Sequence, residues 1–161
     1  MSTTTTAGAA STDRIEKRVE LDAPRSRVWR ALTDVQQFNQ WFGVSLGAPF
    51  TPGAAVRGNL TNAKYAHVTM TLWVETMEPE RRFAFRWHPY AIEEGIDYAA
   101  EPTTLVTFTL EDAGAGTRLT IVESGFDAIP ASRRAKAFSM NERGWAGQAE
   151  NLRKFVEAQG G

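Results

Sequence analysis

Hydrophobic positions along this chain repeat at two different periods, and the change from one to the other divides it into helical and extended stretches. Ile15, Val19 and Leu21 share one parity in RIEKRVEL, which predicts a strand over 14–21 with one buried face. Asp22-Ala-Pro24 then opens a helix whose apolar side is Val28, Trp29 and Leu32, with proline at the first turn, where its missing N–H does no harm. A second short helix follows from the helical spacing of Val35, Phe38, Trp41 and Phe42. The Gly- and Pro-bearing segment 43–53 reads as a loop.

From residue 54 the period becomes two. A weak strand is expected over 54–60, a turn at Asn62-Ala-Lys64, and a longer strand carrying Val68, Met70, Leu72 and Val74 that stops at Glu78-Pro79-Glu80. Phe83, Phe85 and Trp87 alternate through the next strand, and 88–102, with four acidic residues and two tyrosines, reads as a long loop. Val106, Phe108 and Leu110, the turn Gly114-Ala-Gly116, and Leu119, Ile121 and Glu123 form a hairpin.

The helical period returns at the end. On a wheel centred on Trp145, the residues Phe138, Asn141, Gln148, Ala149, Leu152 and Val156 fall within roughly 60°, while Arg143, Glu150, Lys154 and Glu157 point away. Ser139-Met-Asn-Glu142 has the form of a capping box, placing the start of the long helix at Ser139 after a short segment opened by Pro130, and Gly160–Gly161 marks its end. The inward stripe carries two amides and is flanked by Gly144, Ala146 and Gly147, a composition that implies close backbone approach or unfilled space. Helices segregated from an antiparallel meander make the chain α+β, with the last helix lying across the sheet to cover its buried face.

Composition narrows the function classes. The 161 residues fit one domain, expected over 13–159 after a small polar stretch, MSTTTTAGAAST (1–12), that reads as a disordered tail without the features of a signal peptide. With 18 basic and 19 acidic residues and no basic block, the electrostatic footprint of nucleic-acid binding is missing. No stretch reaches membrane-span length, and the chain has no cysteine, which removes thiolate chemistry and suits a reducing cytoplasm. His67 and His88 lack metal-ligand spacing, His67 falling on the outward parity, and no metal or other cofactor is expected. Ser45 and Ser124 have no visible histidine partner, and Gly114-Ala-Gly116 joins two strands instead of opening a helix, against both a serine nucleophile and a phosphate cradle.

The segments VELDAPRSRVWRALTD, VETMEPERRFAFRW, TTLVTFTLEDAGAGTRLTIVESGF and ERGWAGQAENLRKFVE resemble the signatures of the Aha-like family. These are homologues of the C-terminal domain of the activator of the Hsp-ninety ATPase, within the SRPBCC (START-like, helix-grip) superfamily. The resemblance implies a curved antiparallel sheet gripping the long C-terminal helix, with two short helices after the first strand and a cavity between sheet and helix. In that fold Phe83, Phe85, Trp87, Val106 and Phe108 face the interior, with Trp145 and Leu152 closing it from the helix and Trp41 and Phe42 from the second short helix. The chain departs from its relatives at Leu72-Trp73, where they often carry glycine, and this is expected to narrow or reshape the interior.

Glu123 is the polar residue of greatest interest, since its parity faces it toward the helix near Asn141, and a buried carboxylate requires partners. The leading expectation is a non-enzymatic domain, without catalytic residues, that binds a small hydrophobic or amphipathic molecule through Trp41, Phe42, Phe85, Trp87, Phe108, Glu123, Asn141, Trp145 and Gln148. Glu123, Asn141 and Gln148 would orient its polar end. Tyr90, Tyr98, Asp97, Glu93 and Glu94 offer a lid or entrance, or else a plain solvated loop. Two alternatives follow from the resemblance: a chaperone-interacting module in a stress-response setting, or a cyclase- or hydrolase-type enzyme using Glu123 as acid or base. A monomer or weak homodimer is expected.

Overall fold

The computed structural model describes residues 12–92 and 97–158. The tail reading therefore lies outside the described residues except for Thr12, which hydrogen-bonds Asp127, and so do Glu93, Glu94 and the terminal Gly160 and Gly161. Seven strands form one curved antiparallel sheet in the order β1-β7-β6-β5-β4-β3-β2. They are β1 (Arg14–Leu21), β2 (Val44–Leu46), β3 (Ala55–Leu60), β4 (Thr69–Glu78), β5 (Arg82–Trp87), β6 (Thr104–Ala113) and β7 (Gly116–Ser124). A register shift between Val74 and Thr76 marks a bulge in β4, and a bulge bends the strand that carries it.

Two short helices, α1 (Arg25–Thr33) and α2 (Val35–Phe42), cross over from β1 to the opposite edge of the sheet. Asp34 ends the first and caps the second, accepting a hydrogen bond from the Gln36 N–H at 3.0 Å. Gly43 closes α2 in the left-handed region, φ 88°.

The segment expected as a loop over 43–53 contains β2. Three residues are too few to show a period, and what makes them a strand is tertiary: the Asn39 side chain bonds both the N–H and the C=O of Leu46, at 2.9 and 3.1 Å. Its partner strand approaches so closely that a Cβ on Gly58 would lie 2.1 Å from the Ser45 carbonyl oxygen.

The long helix α3 (Ala131–Ala158) is continuous over 28 residues, about 42 Å. It does not begin at Ser139. The Pro130 carbonyl accepts from the N–H groups of Arg133 and Arg134, and the opening turns bury Ala137 and pack Phe138 edge-on to Phe126. Glu142 pairs with Lys17 at 2.9 Å, so local capping chemistry is overridden by packing.

Trp73 does not reshape the interior. It points outward, 37% exposed and edge-on to His88, while Leu72 beside it is fully buried.

The core lies between the sheet and the three helices. Phe38, Phe83, Phe85, Phe108, Leu119 and Leu152 are its fully buried centre. Among the described residues no helix is long and apolar enough to cross a membrane.

Candidate functional site

The β7 strand alternates buried and half-buried residues up to Glu123, the last inward position, which pairs with Val106 on one side and Ile15 on the other. Its carboxylate is completely buried, and among the described residues the groups that bond it are neutral donors. Trp145 Nε1 donates to Oε1 at 2.8 Å and Trp87 Nε1 to Oε2 at 2.7 Å. Thr104 Oγ1 donates to Oε2 at 2.6 Å, and Asn141 Nδ2 spans both oxygens at 3.0 and 3.2 Å. Indole N–H groups can only donate, so this arrangement uses the carboxylate as an acceptor on all sides. The group joins β5, β6 and β7 to α3 at one point.

The space directly beneath Trp145 is filled. Trp87, Phe108 and Phe42 lie against its ring with centroids 5.7, 5.8 and 6.2 Å away. Phe85 and Phe108 are fully buried among neighbouring rings, and the Trp41 indole donates to the Ala31 carbonyl at 2.8 Å. Trp41, Phe85 and Phe108 hold the fold and do not line open space.

Open space lies beside that plug, between the β3–β4 rim and α3. A cleft of about 660 Å³ runs between Leu60 and Met70 of the rim, Trp87 and the 88–92 segment, and the helix face at Asn141 and Gln148. Phe42 forms its inner end, and Tyr90, Ile92 and Tyr98 its outer wall. A smaller hollow of about 170 Å³ adjoins it under Gly144, touching Trp145 as well. Gly144 and Gly147 are exposed, and a Cβ on either would meet nothing within 4 Å, so neither marks a close backbone approach; Gly144 alone borders the hollow.

Of the nine residues expected to bind a ligand, Phe42, Trp87, Asn141 and Gln148 line the cleft, and Trp145 reaches only the smaller hollow. Glu123 sits one layer behind, screened by Trp87 and Asn141. Trp41, Phe85 and Phe108 belong to the core. Tyr90 and Tyr98 stand on the cleft wall, and Arg133 of α3 fastens their segment. Its guanidinium donates to the Pro89 carbonyl at 2.9 Å and to Glu101 Oε1 at 2.8 Å, and lies over the Tyr98 ring at 4.8 Å.

Thr104 was absent from the expected set. Its signal was available in the parity it shares with Val106 and Phe108. His67 is exposed, as its parity predicts. Among the described residues no three His, Cys, Asp or Glu side chains are grouped to hold a metal ion.

The family profile described as "Activator of Hsp90 ATPase homolog 1-like protein" matches residues 22–157. No curated protein matches the chain. Among solved structures, it is similar to DynU16, from the dynemicin biosynthetic locus, at 28% identity and a TM-score of 0.69 over 91% of this chain. The chain spans about half of DynU16, 48% of its length. CalU16 from Micromonospora echinospora is similar at 22% identity and a TM-score of 0.62, covering 91% of this chain and 77% of that one. The Aha1 dimer from Colwellia psychrerythraea shares the fold at 15% identity and a TM-score of 0.70, covering 92% of this chain and 98% of that one.

Proposed function

The chain belongs to the Activator of Hsp90 ATPase homolog 1-like family, and from that premise we propose that it is a START-like binding domain for a small apolar or amphipathic molecule. The molecule lies in the cleft between the β3–β4 rim and α3 and undergoes no chemistry there. One observation carries this reading: the cleft is about 660 Å³, inside the range of roughly 300–1,000 Å³ typical of small-molecule sites. Its walls combine aromatic and aliphatic side chains, Phe42, Leu60, Met70, Trp87 and Ile92, with a polar rim of Thr61, Asn62, Thr69, Thr71 and His88 and two amides on the helix side. Affinity comes from desolvating apolar surface, at about 25 cal/mol per Å², and the helix side supplies the polar contact that orients one end.

An acid–base role for Glu123 finds no support in this geometry. Four neutral side chains occupy its oxygens, and it is not part of the cleft wall, so no substrate atom reaches it without rearrangement. A chain without cysteine suits a reducing cytoplasm, where we place this activity.

Native mass spectrometry of freshly purified protein, followed by titration with an apolar fluorophore read through intrinsic tryptophan emission, to which Trp87 in the cleft wall contributes, tests the proposal. Copurified mass or saturable one-to-one quenching is expected. Ligand-free protein that also fails to quench saturably would overturn it. The family match itself favours a second reading, contact with a chaperone ATPase. Stimulation of that ATPase by the purified chain supports it, and an unchanged rate removes it.

A further inference from the structure

The two amides on the helix wall of the cleft are not equivalent. Gln148 is occupied at both ends of its side chain: Nε2 donates to the Phe42 carbonyl at 2.9 Å, and Oε1 accepts from Asn151 at 3.1 Å. Asn141 is occupied at one end. Its Nδ2 faces both oxygens of Glu123, and no described residue donates to its carbonyl oxygen.

This orientation is dictated by chemistry. A carboxylate accepts hydrogen bonds, and the amide oxygen in place of the nitrogen would set acceptor against acceptor at about 3 Å. The remaining acceptor positions of Glu123 are taken by Trp87, Thr104 and Trp145, so the Asn141 nitrogen has one place to go. Its oxygen is then the amide atom turned away from Glu123, on a residue that lines both the cleft and the hollow beside it.

We infer that Glu123 is a positioning residue that locks Asn141 with its carbonyl oxygen toward the cleft, so that the site selects apolar molecules carrying a hydroxyl or N–H donor. The inference rests on the cleft being the ligand site. An apolar molecule without a donor must strip water from the Asn141 oxygen and leave it unpaired, which costs affinity. A molecule with a donor at the same point replaces that water. The flat walls supplied by Trp87 and Phe42 favour a planar, aromatic body for the same molecule.

Isothermal titration calorimetry of the full chain with 2-naphthol and with 2-methoxynaphthalene tests this, since the two differ in a donor and hardly in shape. Wild type is expected to bind 2-naphthol about tenfold more tightly. Asn141→Leu should bind both with equal affinity. Equal binding of the two probes by wild type, or a naphthol preference that survives Asn141→Leu, overturns the inference while leaving the cleft as a binding site. Saturable binding of neither probe overturns the cleft reading and this inference together. Should Asn141→Leu fail to fold, Glu123→Gln takes its place. There the side chain facing Asn141 can offer its own N–H₂, the Asn141 amide turns over, and the naphthol preference disappears while 2-methoxynaphthalene still binds.

Discussion

Trp87 and Trp145 direct their indole N–H groups at different oxygens of the same buried carboxylate, at 2.7 and 2.8 Å, with ring centroids 5.7 Å apart. One indole belongs to the sheet and the other to α3, so Glu123 ties the two layers together through groups that also pack on each other. Trp145→Ala should cost about 3–5 kcal/mol, from the lost ring volume and the abandoned acceptor. Trp145→Phe keeps most of the packing and should cost about 1–3 kcal/mol. Because Trp87→Phe removes a donor from the same carboxylate and the two rings touch, a double-mutant cycle in chemical denaturation should show a coupling of about 0.5–3 kcal/mol. Strict additivity would mean that the two indoles act independently.

Substitution of Glu123 itself should follow an order set by acceptor count. Glu123→Gln keeps one acceptor oxygen and places a donor among donors, at a cost of about 1–3 kcal/mol. Glu123→Ala strands the N–H and O–H groups of Trp87, Thr104, Asn141 and Trp145 together and should exceed that. Urea denaturation of both variants checks the order, and a more stable alanine variant would show that the carboxylate itself burdens the fold.

The parity rule placed Glu123 inward and the helical wheel placed Asn141 opposite it, and both positions are occupied as read. What periodicity does not encode is the reach of a side chain beyond its own face. Trp87 was legible as inward, but the direction of its N–H depends on the ring rotamer that Phe42 and Trp145 enforce. The position of the open space depends on how the β3–β4 rim is set against the helix. The bulge at Val74/Thr76 bends β4, and β2 is held by the Asn39 side chain; neither leaves a repeat in the sequence. The helix starts ahead of its capping pattern because Ser139 and Glu142 carry a local signal that the packing of Phe138 on Phe126 outweighs.

Arg133 is the clamp on the outer wall. Its fork bonds a backbone carbonyl and the Glu101 carboxylate while its plane covers Tyr98, a combination that lysine cannot reproduce. Arg133→Ala should raise amide hydrogen exchange in residues 88–92 and 97–101 and weaken binding of an apolar probe. Arg133→Lys should recover only part of both effects. Exchange rates equal to wild type in Arg133→Ala would show that the segment is held by its apolar contacts.

On the solvent face of α3, the side-chain hydrogen bond from Arg153 holds the Glu150 carboxyl below its ordinary value of 4.5. A carboxylate depressed in the folded state adds stability above its unfolded value, and that contribution is lost as pH falls through the folded value. Glu150→Gln should therefore leave a Tm difference at neutral pH that closes as the medium becomes more acidic than about pH 4. The difference should be small, because the pair is exposed and screened. A gap that widens toward low pH would reverse the assignment.

Two glycines make opposite predictions from one measurement. A Cβ on Gly144 meets nothing within 4 Å, and the residue sits inside a helix, where glycine costs about 1 kcal/mol relative to alanine. Gly144→Ala should thus raise stability by about 0.5–1 kcal/mol. A Cβ on Gly58 would lie 2.1 Å from the Ser45 carbonyl oxygen and 2.6 Å from the Leu46 Cα, both backbone atoms that move only if β2 separates from β3. Gly58→Ala should therefore destabilise the β2 edge and weaken probe binding at the adjacent cleft. Gly144→Phe carries the argument into the site: a ring placed at the hollow of about 170 Å³ should lower probe affinity without unfolding the helix. Unchanged affinity in Gly144→Phe would mean that the hollow under the helix is not continuous with the space where the ligand lies.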